Sequence, residues 1–479
     1  MKPFFKNNPI APQDWGLDVS PTGELIAGGC NCVELARQFG TPLHVVDEQR
    51  LADTAADCLS AFTQIYPGKA AVHYAFKCNP VPGVIEVVKQ AGLKAEVMTE
   101  FELYLARQLG FSGAEIVVNG PFKSESFLTA CLGNEVRFVI ADSPEELKTL
   151  NRLATVFDKK APVLLRINPG FTPKGMNSGT ATGSRRGCAF GLDLKGGEAS
   201  EVLAFLPKME NLEFHGFHFH IGTGIRRPGD YRQALLRLKN LVEAAGRLRL
   251  EVKVMDVGGG FAAPMSREMT TWEMLAYQAF DRLPNLKKES EGSRFADFAR
   301  AVTEGICEIF KKENIPELIA EPGRCIAGPN QLLLLSVHEV KERPGVKKWL
   351  TTDGGIGTIT MPTFYELHEV FLCNDMRRPR QERVTINGPG CFAADVVYRN
   401  KRMPEVKPGE VLAIMDSGAY FTSWESSFGF PRPAIVAVKD GKARLLRRRE
   451  IFEEMTARDL FDRSDKIFHQ IPAPTGTQN

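Results

Sequence analysis

Short apolar runs rich in Val, Ile and Phe recur along the first two thirds of the chain. They are VHYAFK (72–77), AEVM (95–98), EIVVNG (115–120), RFVIAD (137–142), VLLRINP (163–169), EFHGFHFHIG (213–222), VKVMDVGGG (252–260) and LIAEPGR (318–324). Runs that stay apolar at consecutive positions suit strands buried on both faces. Segments with helical spacing lie between them, at 81–92, 101–110, 124–133, 143–157 and 230–248. Ser143 ahead of Pro144, Glu145 and Glu146 reads as a helix start: a capping hydroxyl, then proline in the first turn, then acidic residues. Eight strands with helices between them predict an α/β chain whose strands close into a (β/α)8 barrel. An open doubly wound sheet with extra strands is the competing arrangement.

After residue 325 the pattern changes. LLLLSVHEV, WLTTDGG, RVTINGPG, EVLAIMDSGAY, AIVAVKDG and KARLLRR are short strand-like runs separated by Gly, Pro and Asp, which predicts an all-β domain. The expected division is a 1–45 segment joining the β domain, a barrel over 46–327, a β domain over 328–462 and a flexible tail over 463–479. The first 45 residues lack helical period until VELARQFG and are expected to add an edge strand to the β domain.

Composition narrows the function classes. The apolar fraction of 43% supports a packed core and excludes a disordered chain. With 60 Lys+Arg against 58 Asp+Glu the net charge is +2, so no basic footprint for nucleic acid is expected. No apolar stretch reaches the ~18 residues of a spanning helix, so no membrane role is expected. The ten cysteines are scattered without a CxxC pair, which points to a reducing cytoplasm.

Barrel chemistry belongs at the C-terminal ends of the strands. There the sequence places Lys77, His220, then Gly222-Thr223-Gly224, then Gly258-Gly259-Gly260, then Glu321-Pro322-Gly323-Arg324. Consecutive glycines let backbone N–H groups close on an anion with no Cβ in the way. A lysine at the end of a buried strand either pairs with a carboxylate, such as Glu96 or Glu321, or serves as an imine-forming amine freed of its proton by desolvation and nearby charge. A phosphate site with a reactive lysine suits pyridoxal phosphate. His218 and His220, with Glu96 and Glu321, leave a metal site open as a second reading.

HYAFKCNP around Lys77, HFHIGTG at 218–224, DVGGGF at 256–261, EPGRCI at 321–326, GPGCFAAD at 388–395 and DSGAY at 416–420 stand in one order. Over about residues 30–455 this resembles the fold-type III pyridoxal-phosphate decarboxylases, the diaminopimelate and ornithine decarboxylase group. The resemblance implies an alanine-racemase-like TIM barrel with a C-terminal β domain. It implies a Schiff base on Lys77, His220 stacked on the pyridine ring and Glu321 paired with the ring nitrogen. Gly258, Gly259, Gly260, Gly323, Arg324, Thr223 and Tyr420 would hold the phosphate, with Arg166 near the ring hydroxyl. It also implies a homodimer with the active site at the interface, in which the partner's Cys391 protonates the decarboxylated intermediate. Glu321 favours decarboxylation, because the related racemases place an arginine at the ring nitrogen and so make a weaker electron sink.

The substrate-reading positions are expected to be Phe392, Met361, Tyr365 and Arg324, and the chain departs from that family at two of them. An acidic residue usually follows the cysteine, where this chain has Phe392. The arginine of an RPxLY motif is here Met361, in a stretch that ends at Tyr365. A Lys-Phe-Gly is here Ala189-Phe190-Gly191. Readers of a charged distal group discriminate strongly. Their loss points away from plain diaminopimelate and toward a modified or conjugated amino acid. Arg185-Arg186 and Arg226-Arg227 are candidates for an anionic substituent, or else solvated surface pairs. An amino acid racemase, a metal-dependent barrel hydrolase and a non-catalytic regulator on the same fold are the alternatives.

Overall fold

The computed structural model describes residues 11–173, 184, 187–263, 267–284, 295–360 and 365–460. Met361, Arg185, Arg186 and the tail over 463–479 lie outside them.

All eight predicted barrel strands form: Ala70–Ala75 (β1), Lys94–Val97 (β2), Ile116–Val118 (β3), Phe138–Ala141 (β4), Ala161–Asn168 (β5), Leu212–His218 (β6), Val254–Asp256 (β7) and Glu317–Ala320 (β8). Each is parallel to its neighbours, and β4 pairs with β5 through Val139–Val163 and Ala141–Leu165, so the sheet closes. The open-sheet alternative is thereby excluded. Ala71, Val117, Phe138, Ile140, Leu164, Val254 and Ile319 fill the barrel axis as one apolar cluster. This plug leaves the C-terminal strand ends as the place where polar groups can converge.

Helices alternate with the strands. The Ser143 hydroxyl accepts from Glu146 N–H at 3.2 Å, starting the Pro144–Val156 helix as its sequence predicts. Three further barrel helices, Glu48–Ile65, Glu198–Phe205 and Phe295–Ile309, stand outside the segments that the spacing predicts.

The β domain is built on Gln331–Arg343, which pairs antiparallel with Lys347–Thr352, Val411–Ile414 and Leu43–Asp47. Leu43–Asp47 also pairs parallel with Ala434–Lys439. The N-terminal strand is therefore an interior strand of this sheet, not the expected edge strand. Its residues explain why: Leu43, His44, Val45 and Val46 are consecutively buried, the signature of a strand covered on both faces.

The connection after β7 ties the two domains together. Arg267–Glu268 pairs antiparallel with Glu366–Leu367, and the Thr271–Phe280 helix sets Tyr277 against Tyr398 at a ring distance of 6.3 Å.

Candidate active site at the barrel mouth

The backbone of the barrel mouth is fixed first. Gly258 accepts from Glu321 N–H at 2.8 Å, and Gly260 accepts from Ile225 N–H at 2.8 Å. The Gly259 carbonyl accepts from the Tyr231 hydroxyl at 2.9 Å. The loops after β6, β7 and β8 are thus laced into one floor. A Cβ at Gly259 would lie 2.1 Å from the Glu321 carbonyl, and one at Gly260 would lie 1.8 Å from the Gly222 carbonyl. Only glycine permits this approach, so the triple glycine is a packing requirement as well as an open backbone cradle.

Lys77 stands just past β1, and its ammonium pairs with the buried carboxylate of Glu96 at the end of β2. Burial pushes the Lys77 pKa down, but Glu96 and Glu321 outweigh it and hold the ammonium above its usual range. Of the two readings of Lys77, the pairing with a carboxylate such as Glu96 is the one seen here. The neighbouring carboxylates dominate, and the ion pair with Glu96 forms.

His220 follows β6, with its ring against Gly258: a Cβ there would lie 3.1 Å from His220 Nδ1. Burial, aided by Arg166 and Lys77, holds the imidazole neutral by pushing its pKa well down. Arg166 is buried on β5, 3.4 Å from Asp142 and 3.4 Å from the Asn119 amide oxygen. Its guanidinium lies 4.8 Å from the centre of the Phe190 ring.

Glu321 sits immediately after β8 and is buried. Asn119 Nδ2 donates to its two oxygens at 3.2 and 3.4 Å, and His218 Nε2 lies 3.3 Å from Oε2. Burial raises its pKa, while Lys77, the hydrogen bond from Asp256, Arg166 and Asn119 oppose the shift. Asn119 and Asp256 were not among the sequence candidates. Their signal was present, since each is a polar residue closing a buried strand run, NG after EIVV and DVGGG after VKVM. His218, Asp256 and Glu321 also form the one cluster among the described residues with metal-ligand spacing, their atoms within 4.8 Å of one another. His220 is not part of it.

Arg324 opens the short turn after β8. Its Nη1 pairs with Glu366 at 2.7 Å, its Nε donates to Thr223 at 3.2 Å, and its guanidinium lies 4.9 Å from the Tyr420 ring centre. Tyr420 adopts φ +68° and donates its N–H to the Cys78 carbonyl at 2.8 Å, which docks the β domain beside Lys77. Gly323 packs on Cys78, where an added Cβ would meet the Cys78 Cβ at 2.8 Å. Tyr365 carries a phenol whose pKa is raised by burial and by Glu366, within the field of Arg324 and Tyr420. The structure thus brings Lys77, Arg166, His220, Thr223, the glycines, Glu321, Arg324, Tyr365 and Tyr420 to one end of the barrel. Cys391 and Phe392 are not in that cluster. They lie exposed on a loop of the β domain, with Phe392 half exposed and edge-on to Phe428 at 6.4 Å.

Two family models match. The pyridoxal binding domain of the pyridoxal-dependent decarboxylases covers residues 53–328, and their C-terminal sheet domain covers 254–418. A diaminopimelate decarboxylase of Aquifex aeolicus is 30% identical over 432 residues, covering 90% of this chain and 94% of the relative. One of Actinosynnema pretiosum is 32% identical over 442 residues, covering 91% and 93%. The crystal structure of the diaminopimelate decarboxylase from M. jannaschii in co-complex with L-lysine superposes with a TM-score of 0.83 at 27% identity, covering 95% of this chain and 99% of that one. With the barrel, the sheet domain and the lysine-bearing mouth all present, the chain belongs to the pyridoxal-dependent decarboxylases and is a pyridoxal-phosphate-dependent carboxy-lyase.

Proposed function

We propose that the chain decarboxylates an amino acid or amino-acid conjugate whose distal end is not recognised by a paired charge, using the barrel mouth for the cofactor. The donor set fits that group. A neutral imidazole lies beside the glycine cradle, a buried carboxylate follows β8, and an amine stands opposite. Pyridoxal phosphate, when bound, supplies an electron sink for the pair released from the Cα–carboxylate bond.

The remaining work falls to this chain. Lys77 is the attachment point, and Glu96 orients its amine and can take up its proton. His220 presents a ring face rather than a charge. Glu321 holds a proton at the ring nitrogen. Thr223, Arg324, Tyr420, Gly323 and the 258–260 glycines bind the phosphate. The Glu366 carboxylate already neutralises Arg324 and fixes its direction, so backbone amides carry much of that binding. Cys391 is the proton donor to Cα, delivered by a second copy of the chain. Its exposed position outside the buried cluster supports that dimer. No helix among the described residues is long and apolar enough to cross a membrane. A cytoplasmic location belongs to the same proposal.

The observation that carries the substrate reading is Phe392. A half-exposed aromatic residue beside a second aromatic, Phe428, stands next to Cys391. An aromatic edge cannot pair an ammonium as a carboxylate does. Release of CO2 from a panel of free and conjugated amino acids, with Lys77→Ala as control, tests this reading. Fast turnover of an uncharged or conjugated side chain supports it. The relatives' names favour diaminopimelate as a second reading, and preference for that substrate would establish it instead.

A further inference from the structure

Glu321 does not face the barrel axis alone. Asp256, the last residue of β7, is fully buried, and a carboxylate oxygen of it lies within 4.8 Å of one of Glu321. Its Oδ1 accepts the Gly258 N–H at 2.9 Å, while Oδ2 is buried with no donor to accept from. Two carboxylates this close in a closed interior cannot both stay ionised, so the pair shares a proton. The hydrogen bonds decide where it sits. Glu321 accepts from Asn119 and faces His218, whereas Oδ2 of Asp256 is buried with no donor to satisfy a negative charge, so the proton belongs on Asp256.

His218 follows the same logic. Its Nε2 lies 3.3 Å from Glu321 Oε2, and its Nδ1 is buried without a partner. Asn119 Nδ2 lies 3.2 Å from the same Nε2 and also donates to Glu321, so a proton on Nε2 lets both groups donate to the carboxylate and leaves only a bare lone pair at Nδ1. The other tautomer would bury an unbonded N–H, the costlier choice. The ring is neutral because burial and Arg166 push its pKa well down.

We propose that Asp256 is a positioning residue that donates a hydrogen bond to Glu321 and, with Asn119 and His218, holds it as a single oriented carboxylate toward the cofactor's ring nitrogen. Donors from β7, β6 and the loop after β3 converge on one acceptor, so its direction is set by the barrel and not by its own rotamer. The charged groups facing Asp256 are Glu321 and Glu96, with Lys77 and Arg166 facing Glu321 in turn. The proposal rests on the assignment of Glu321 to the ring nitrogen, and its test separates the two.

The holoenzyme is loaded with pyridoxal phosphate labelled with 15N in the ring, and the nitrogen shift is read by NMR beside kcat. Asp256→Asn keeps a donor toward Glu321 and an acceptor for Gly258. It is expected to hold the wild-type shift, with kcat within about threefold. Asp256→Ala removes the donor; it is expected to move the shift toward neutral pyridine and lower kcat by about 10- to 100-fold. An Asp256→Asn shift displaced from wild type would show that Asp256 acts as an anion and would overturn the proposal, even if the alanine variant does not fold. A folded Asp256→Ala protein with the wild-type shift would overturn it too. Glu321→Gln with an unchanged shift would overturn the ring-nitrogen assignment and the proposal with it.

Discussion

The barrel mouth and the Cys391 loop carry the two halves of the proposed reaction, and they are built on opposite principles. At the mouth, Glu96, Asn119, Asp256 and Glu321 are all buried, and their directions are set by strand ends that cannot move independently. At the loop, Cys391 and Phe392 are exposed. A buried polar cluster tolerates little change, because each lost partner leaves another group unsatisfied in low dielectric. An exposed loop can change without that cost. The departure at Phe392 falls on that exposed loop, whereas Arg324 and Tyr365 of the expected substrate readers belong to the mouth.

Lys77→Ala should break the mouth most severely. Decarboxylation is expected to fall by about a thousandfold or more, and the Tm should fall as well because Glu96 is left as an unpaired buried charge. Adding Glu96→Gln should restore the Tm but not the activity, as a thermal scan of the double variant beside a CO2 assay would show. Cys391→Ala should behave in the contrary way. The loop position predicts an unchanged Tm and unchanged cofactor absorbance, with kcat lowered by about 100-fold through loss of the proton donor. A large drop in Tm would show that the loop is packed after all.

Phe392→Glu sharpens the comparison on the substrate side. KM for lysine-like substrates is expected to fall by about tenfold, with kcat for the best neutral substrate little changed. Steady-state kinetics on the two substrates checks this. The smallest effect concerns Glu102, whose carboxylate is buried behind β2 and accepts the Met98 N–H at 2.7 Å. Burial raises its pKa to about 7, above the 4.5 of an unperturbed glutamate. The folded state therefore holds the proton more tightly, and stability present at low pH is lost as pH rises from 4.5 through about 7. Glu102→Gln should remove that loss, widening its stability advantage over wild type by about 1–3 kcal/mol between pH 5 and 8. Denaturant melts at the two pH values give the difference.

The sequence exposed the eight strands because burial on both faces leaves consecutive apolar residues, a pattern that survives without tertiary context. It also exposed the glycines and Lys77, whose residue types are costly or unusual at strand ends. Leu43–Asp47 shows the same consecutive burial in LHVV, but its interior place in the sheet is not legible from the sequence. A strand so short, next to a helix start, is ambiguous until its partners at 331–343 and 434–439 are known. The Phe295–Ile309 helix buries Phe298, Ala299, Val302 and Ile306 at helical spacing and yet stands outside the segments predicted. From the sequence alone Asp256 is the approach to GGG and Asn119 the end of a strand. Their meaning depends on four strands meeting across a closed barrel, which no local pattern encodes. The Arg324–Glu366 pair joins the two domains and was hidden for the same reason.

The most direct test of the division between a fixed cofactor site and a variable reader is the ratio of kcat/KM for diaminopimelate to that for neutral or conjugated amino acids. It is measured as CO2 release by the purified wild-type protein reconstituted with pyridoxal phosphate. The account predicts that diaminopimelate is the poorer substrate by about tenfold or more. Diaminopimelate turned over faster than every neutral or conjugated substrate would contradict it.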